Sequence, residues 1–215
     1  MLKFTIVCLL AVLCCFTPAL SENSRIIYCD KELQVPLYKI LKLPEARHLI
    51  KDIQKAGPFR VLVDNHSKLS NQFSAYWDPD TRTIVVSLKS NQFGGEIIGS
   101  ILFELHNALI NDKLEHVYDL ASRGQIDKES FVEAIERLEY QNSLKASKLA
   151  ERGIKLGIFP SSARLFTYRD FDEHYYYQKK GGHSAYIANN YDQFAKKQRI
   201  IRNDDYRYFF LQPMH

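Results

Sequence analysis

Residues 96–112 read EIIGSILFELHNALIND. Wound as a helix, the segment places Ile97, Ile98, Ile101, Leu102, Leu105, Ala108 and Leu109 along one wide apolar face. Phe103 and Ile110 carry the apolar character nearly all round, which predicts a central helix rather than one laid on a surface. Glu104, Asn107 and Asn111 follow one another at i, i+3 and i+7 and share one narrow polar stripe. A carboxylate buried there must find hydrogen-bond partners or hold a proton, because burying it charged and unpaired is costly.

The register Phe103-Glu104-Leu105-His106-Asn107-Ala108-Leu109 resembles the active-site helix of the zincin-type metallopeptidases, whose H-E-x-x-H motif commonly reads HELxHAL. Zinc catalysis needs two histidines a turn apart on one face, with the glutamate beside them as general base. This chain keeps the glutamate, Leu105 and the Ala108-Leu109 pair, but has Phe103 and Asn107 at the two ligand positions. A phenyl ring has no lone pair to offer, and a neutral amide is a poor zinc ligand. His106 does not repair the motif, since it lies about 100° from position 107 around the helix. The resemblance implies the zincin scaffold without its helix-borne ligands, so no metal or other cofactor is expected.

The resemblance also implies a fold: a small zincin-like α+β domain whose strand and hairpin sheet packs on the motif helix, with further helices after it. Zincins that use a glutamate as third ligand take it from a helix downstream, where Glu136 and Glu139 stand in this chain. The strand just before the motif helix, residues 84–88, would be the edge strand lying over the cleft. Cleft-lining candidates are therefore Phe103, Glu104, Asn107, Asn111, Glu136 and Glu139, together with His183 of the Lys179-Lys180-Gly181-Gly182-His183 segment. Were Glu104 and one of the downstream glutamates buried together without metal, one of them would hold a proton.

The chain has 215 residues, enough for one domain with a sizeable core. A net charge of +4 is mild and does not point to nucleic acid or to a membrane surface. Residues 1–21 read as a secretory signal: Lys3 opens it, an apolar run covers 4–16, Pro18 breaks the run, and Ala19 and Ser21 stand before a cleavage point at Glu22. The run is short for a membrane span. The expected product is exported, periplasmic or secreted, and comprises a single domain over residues 22–215. Cys8, Cys14 and Cys15 would leave with the signal, so the mature chain would keep only Cys29, with no disulfide and no thiolate metal site.

Further signals place the other elements. Residues 26–28 suggest a short strand, and Pro44-Glu45 opens a helix that Gly57-Pro58 closes. Residues 59–63, 74–77 and 83–88 read as strands, the last two joined by Asp78-Pro79-Asp80. Gly94 is a possible cap of the motif helix. A long helix follows from Lys128 to Arg152, capped by Asp127 and ended by Gly153. The last third is rich in tyrosine interleaved with lysine and arginine, with helices expected over 171–178 and 185–198 around a loop at 179–183. Tyrosine packs a helix edge while keeping its hydroxyl wet, so this part reads as packing or protein contact, with no nucleic-acid partner expected.

Two functions fit these residues. The first is a zincin relative without zinc that binds a protein or peptide through the inherited cleft or through its tyrosine-rich part. The second is a peptidase-like hydrolase that works without the usual ligands, with Glu104 as acid and base.

Overall fold

The computed structural model describes residues 27–88 and 94–193. The proposed signal segment and the stretch beyond 193 lie outside the described residues, as does Ile26; the short strand expected at 26–28 is found at Tyr28–Cys29. The protein is α+β: a small mixed sheet of four strands is packed among helices. The strands are β1 (Tyr28–Cys29), β2 (Arg60–Val63), β3 (Ala75–Asp78) and β4 (Thr83–Val86). The helices are α1 (Gln34–Leu41), α2 (Pro44–Lys55), α3 (Lys68–Gln72), α4 (Gly94–Leu109), α5 (Asn111–Ser122), α6 (Lys128–Lys155) and α7 (Phe171–Gly181), and α8 runs over 183–193.

The sheet order is β1-β2-β4-β3, with β2 parallel to both β1 and β4, and β3 antiparallel to β4. The expected edge strand must be corrected here. The strand before the motif helix, β4, is paired on both sides and all four of its residues are buried. A run of Ile84-Val85-Val86 without alternation is the pattern of a strand covered on both faces. The edge over the cleft belongs to β3, whose residues are all half-buried.

Helix α4 is central, as its all-round apolar pattern predicts. It touches β3, β4, α1, α2 and α6, and Ile98, Ile101, Leu102 and Leu105 are essentially sealed from solvent. Its limits differ from the expectation: it ends at Leu109, which is 39% exposed, and Asn111 opens a separate helix, α5. Helix α2 buries Ala46, Leu49, Ile50 and Ile53, the stripe that follows Pro44 in sequence. Its C-terminal end is satisfied from the β3–β4 hairpin. The Arg82 guanidinium donates to the carbonyls of Ile53, Gly57 and Pro58 at 3.0–3.1 Å, so a cation sits at the negative end of the helix and the hairpin is pinned to α2.

Asp127 caps α6 as expected, accepting from the Ser130 N–H at 2.8 Å. The expected stop at Gly153 does not occur, because α6 continues to Lys155 and Gly153 is buried inside it. A side chain at that position would collide with the Phe159 ring, so the glycine serves close packing where a helix end was expected. The C-terminal helices shift in the same sense. Lys179 and Lys180 belong to the last turn of α7, and the break is Gly182 alone, in the left-handed region at φ 88°. His183 therefore opens α8 instead of sitting in a loop. A second apolar cluster, built on Ala121, Phe131, Val132, Ile135 and Ile187, joins α5, α6 and α8.

Gly153→Ala should lower stability by about 1–3 kcal/mol, the cost of overpacking a filled site, read as a fall in the urea midpoint. Gly94→Ala, where a methyl group would meet nothing within 4 Å, should leave the midpoint within about 0.5 kcal/mol.

Candidate functional site

A cavity of about 660 Å³ lies between edge strand β3 and helices α4, α5, α6 and α8. Six of the seven residues singled out from sequence line it: Phe103, Glu104, Asn107, Asn111, Glu139 and His183. The seventh, Glu136, stands behind His183, fully buried. A smaller cavity of about 260 Å³ shares Phe103, Glu139, Leu165 and His183 with the first, so these four residues stand between the two spaces.

Glu104 is 5% exposed, on the inward face of α4. One of its oxygens accepts from Asn107 Nδ2 at 3.0 Å, and the Trp77 main-chain N–H of β3 also donates to the carboxyl. Loss of hydration pushes its pKa up to about 8, and the neighbouring Glu139 pushes the same way against these donors. Asn107 passes the chain on, its Oδ1 accepting from Asn142 Nδ2 of α6 at 2.9 Å. Both ends of the Asn107 amide are thus spent on protein bonds. The polar stripe read from sequence continues at Asn111, which accepts from Trp77 Nε1 at 2.8 Å and donates to Glu115 at 2.6 Å.

The two downstream glutamates have separate roles. Glu136 accepts from Ser184 Oγ at 2.7 Å and pairs with His174 Nε2 at 3.1 Å and His183 Nδ1 at 3.2 Å. Burial alone would raise its pKa, but these three partners outweigh it and hold the carboxylate near 2. Glu139 faces the cavity, and its closest polar neighbour among the described residues is His183 Nε2 at 3.6 Å, too long for a hydrogen bond. Its pKa is raised by burial, with His183 opposing and Glu136 adding. His183 loses hydration as well, yet the Glu136 bond and the charge of Glu139 carry it up to about 8. At neutral pH the site therefore holds an ionised Glu136, an imidazolium at His183 and a proton on Glu104, while burial moves Glu139 in the direction of Glu104.

Glu136, Glu139 and His183 also bring one potential ligand atom each within 4.8 Å of one another, and among the described residues they are the group that could hold a metal ion. Phe103 and Asn107, the positions that the resemblance would give to ligands, are otherwise engaged. Phe103 packs against the main core, and the Asn107 amide is occupied. Cys29 is far from a nucleophile, because burial, with Asp30 beside it, pushes its thiol up to about 11.

Sequence reasoning missed Asn142, His174 and Ser184, and also the aromatic walls Phe73, Trp77, Tyr118 and Tyr186. An i+3 step from Glu139 to Asn142 on α6 was the one signal in the chain that could have marked Asn142. His174 and Ser184 reach Glu136 only through tertiary packing, and no spacing announces them. His106, beside the motif, is buried with neither ring nitrogen partnered, and burial followed by Lys145 pulls its pKa down to about 4. It stays neutral and serves as packing.

No family model, curated protein or solved structure matches this chain.

Glu104→Gln keeps the shape and the hydrogen bonds of a protonated acid and should fold. Glu104→Leu leaves Asn107 and the Trp77 N–H without an acceptor and should cost about 1–3 kcal/mol in a urea melt. The pH dependence separates the acid from its neutral copy. A carboxyl whose folded pKa lies above its ordinary value stabilises the fold at low pH and loses that contribution as pH rises through about 8. His183 has the same sign between its ordinary 6.5 and about 8, and His106 the opposite sign between about 4 and 6.5. The difference between wild type and Glu104→Gln removes both. Wild type should lose stability relative to the glutamine variant steadily from pH 5 to pH 8, and a flat difference would place Glu104 in solvent.

Proposed function

We propose that this chain is an exported zincin-like protein that binds an extended segment of a protein partner along β3 and does not cleave it. The observation that carries this reading is the open edge of β3 at the rim of the large cavity. Ser87 N–H donates to Ser74 C=O, and 74 and 87 are opposite one another in the β3–β4 register. Hydrogen-bonded pairs alternate along an antiparallel ladder, so Ala75 and Trp77 turn their main-chain groups away from β4. The Trp77 N–H goes to Glu104. Among the described residues nothing bonds the Ala75 N–H, the Ala75 carbonyl or the Trp77 carbonyl, which suits them to a partner strand. An added strand gains its affinity from such groups and its specificity from the pockets that receive alternate side chains. Loss of both helix ligands, read from Phe103 and Asn107, favours binding over hydrolysis.

A second reading rests on the raised pKa of Glu104 beside Glu139 and His183, which suits a general acid at neutral pH. A broad peptidase assay on mature protein decides between them. Turnover no greater than that of Glu104→Gln is expected. Turnover that vanishes in a folded Glu104→Gln protein would make the protein a hydrolase.

Binding should depend on the backbone of the edge. Extended hexapeptides selected from a displayed library should bind Ala75→Pro about tenfold more weakly than wild type, the loss of one main-chain hydrogen bond. The urea midpoint should hold, because that N–H takes no part in the β3–β4 ladder. Undiminished binding would remove β3 as the docking edge.

A further inference from the structure

The cavity carries a charge pattern opposite to that of the whole chain. Among the described residues its titratable lining includes Asp78 of β3, Glu104 of α4, Glu115 of α5 and Glu139 of α6, against one base, His183 of α8, with no lysine or arginine. Across the chain, lysine and arginine outnumber aspartate and glutamate by 29 to 25. The positive charge of His183 is also committed. Its Nδ1 lies 3.2 Å from Glu136, which Ser184 and His174 hold in place. One imidazolium and one carboxylate cancel, and among the described residues Glu104, which holds its proton, and Glu139 have no further cation beside them. Glu139 has only the 3.6 Å approach of His183, although its side chain is only 22% exposed. The walls above them are rings: Phe73, Trp77, Tyr118 and Tyr186 line the same space. Ring faces attract a cation, and a planar guanidinium stacks on them while its N–H groups reach carboxylates.

We propose that the cavity is the seat of a basic side chain, arginine or lysine, carried by the extended segment that lies along β3. The inference rests on the reading of β3 as the docking edge. Alternate residues of a strand point to the same side, so a segment paired with Ala75 and Trp77 sends one side chain in two toward Glu104 and Glu139. Acids grouped with ring faces in one cleft favour an incoming positive charge. An acidic side chain would meet only further acids and a neutral one would draw no such attraction, so the arrangement selects as well as binds.

Entry of a cation favours the ionised form of the acids it meets, and Glu104 holds its proton at neutral pH. Binding should therefore release a proton from Glu104, whose charged neighbours are Glu139 of α6 and His183 of α8.

The test uses the full chain with two small probes and the selected peptides. Butylguanidinium should bind measurably in a calorimetric or NMR titration, and butylurea, its neutral counterpart, should bind at least tenfold more weakly. Glu139→Gln and Glu104→Gln should each weaken butylguanidinium by about tenfold, and in Glu104→Gln the heat of binding should lose its dependence on the ionisation enthalpy of the buffer. Selected hexapeptides should carry arginine or lysine at one fixed position. Equal binding of the two probes, or selected peptides without a basic residue, would overturn the basic seat while leaving β3 as a docking edge. Probe binding with no peptide binding would keep the seat's cation preference and remove the extended segment. Zinc binding at one ion per chain that is lost in His183→Ala and that excludes butylguanidinium would overturn the proposal in favour of a metal at Glu136, Glu139 and His183.

Discussion

The structure turns on one buried carboxyl. Glu104 sits in the middle of the central helix, where a charged, unpaired acid would cost on the order of several kcal/mol. The fold meets that cost with a proton and two donors, one from Asn107 a turn away and one from the β3 main chain. The Asn107 amide then carries the chain to Asn142 on α6. A single polar seam thus joins the edge of the sheet, the central helix and the long helix behind it. Register along this seam is specified by directional bonds, whereas the surrounding leucines and isoleucines supply most of the burial and little direction.

A second polar cluster stands next to the seam. Glu136, fully buried, is ionised because His174, His183 and Ser184 all bind it, and those three residues hold α7 and the start of α8 onto α6. Glu139, one helical turn along, lacks such partners and faces the cavity. Three glutamates within one site take opposite protonation preferences, and their partners decide which. Phe103 and Asn107, on either side of Glu104, have their own places in this arrangement. Phe103 belongs to the core and walls both cavities, and Asn107 belongs to the seam.

Much of this architecture is legible in the chain before any coordinates. The all-round apolar pattern of 96–112 identifies the central helix, Pro44 and Asp127 mark true helix starts, and residues 83–88 mark a strand. Glycines misled the reading where their purpose was packing. Gly153 makes room for Phe159 within α6, and nothing in the local sequence separates that use from a helix stop. The strand at the edge was misread because pairing order is a property of the sheet, and β3 and β4 are both short and both apolar.

The same division holds for the site. Local spacing determined that Glu104, Asn107 and Asn111 share a face, since helical periodicity alone puts them there. Side-chain chemistry, independent of fold, also leaves Phe103 with no lone pair to give a zinc ion and makes the Asn107 amide a poor ligand. Tertiary structure decided that Glu139 and not Glu136 meets that face, that His183 bridges the two, and that rings from β3, α5 and α8 enclose them. Contacts between residues 35 to 48 positions apart leave no periodic trace, because they depend on how whole helices cross and on which side chains meet at the crossing.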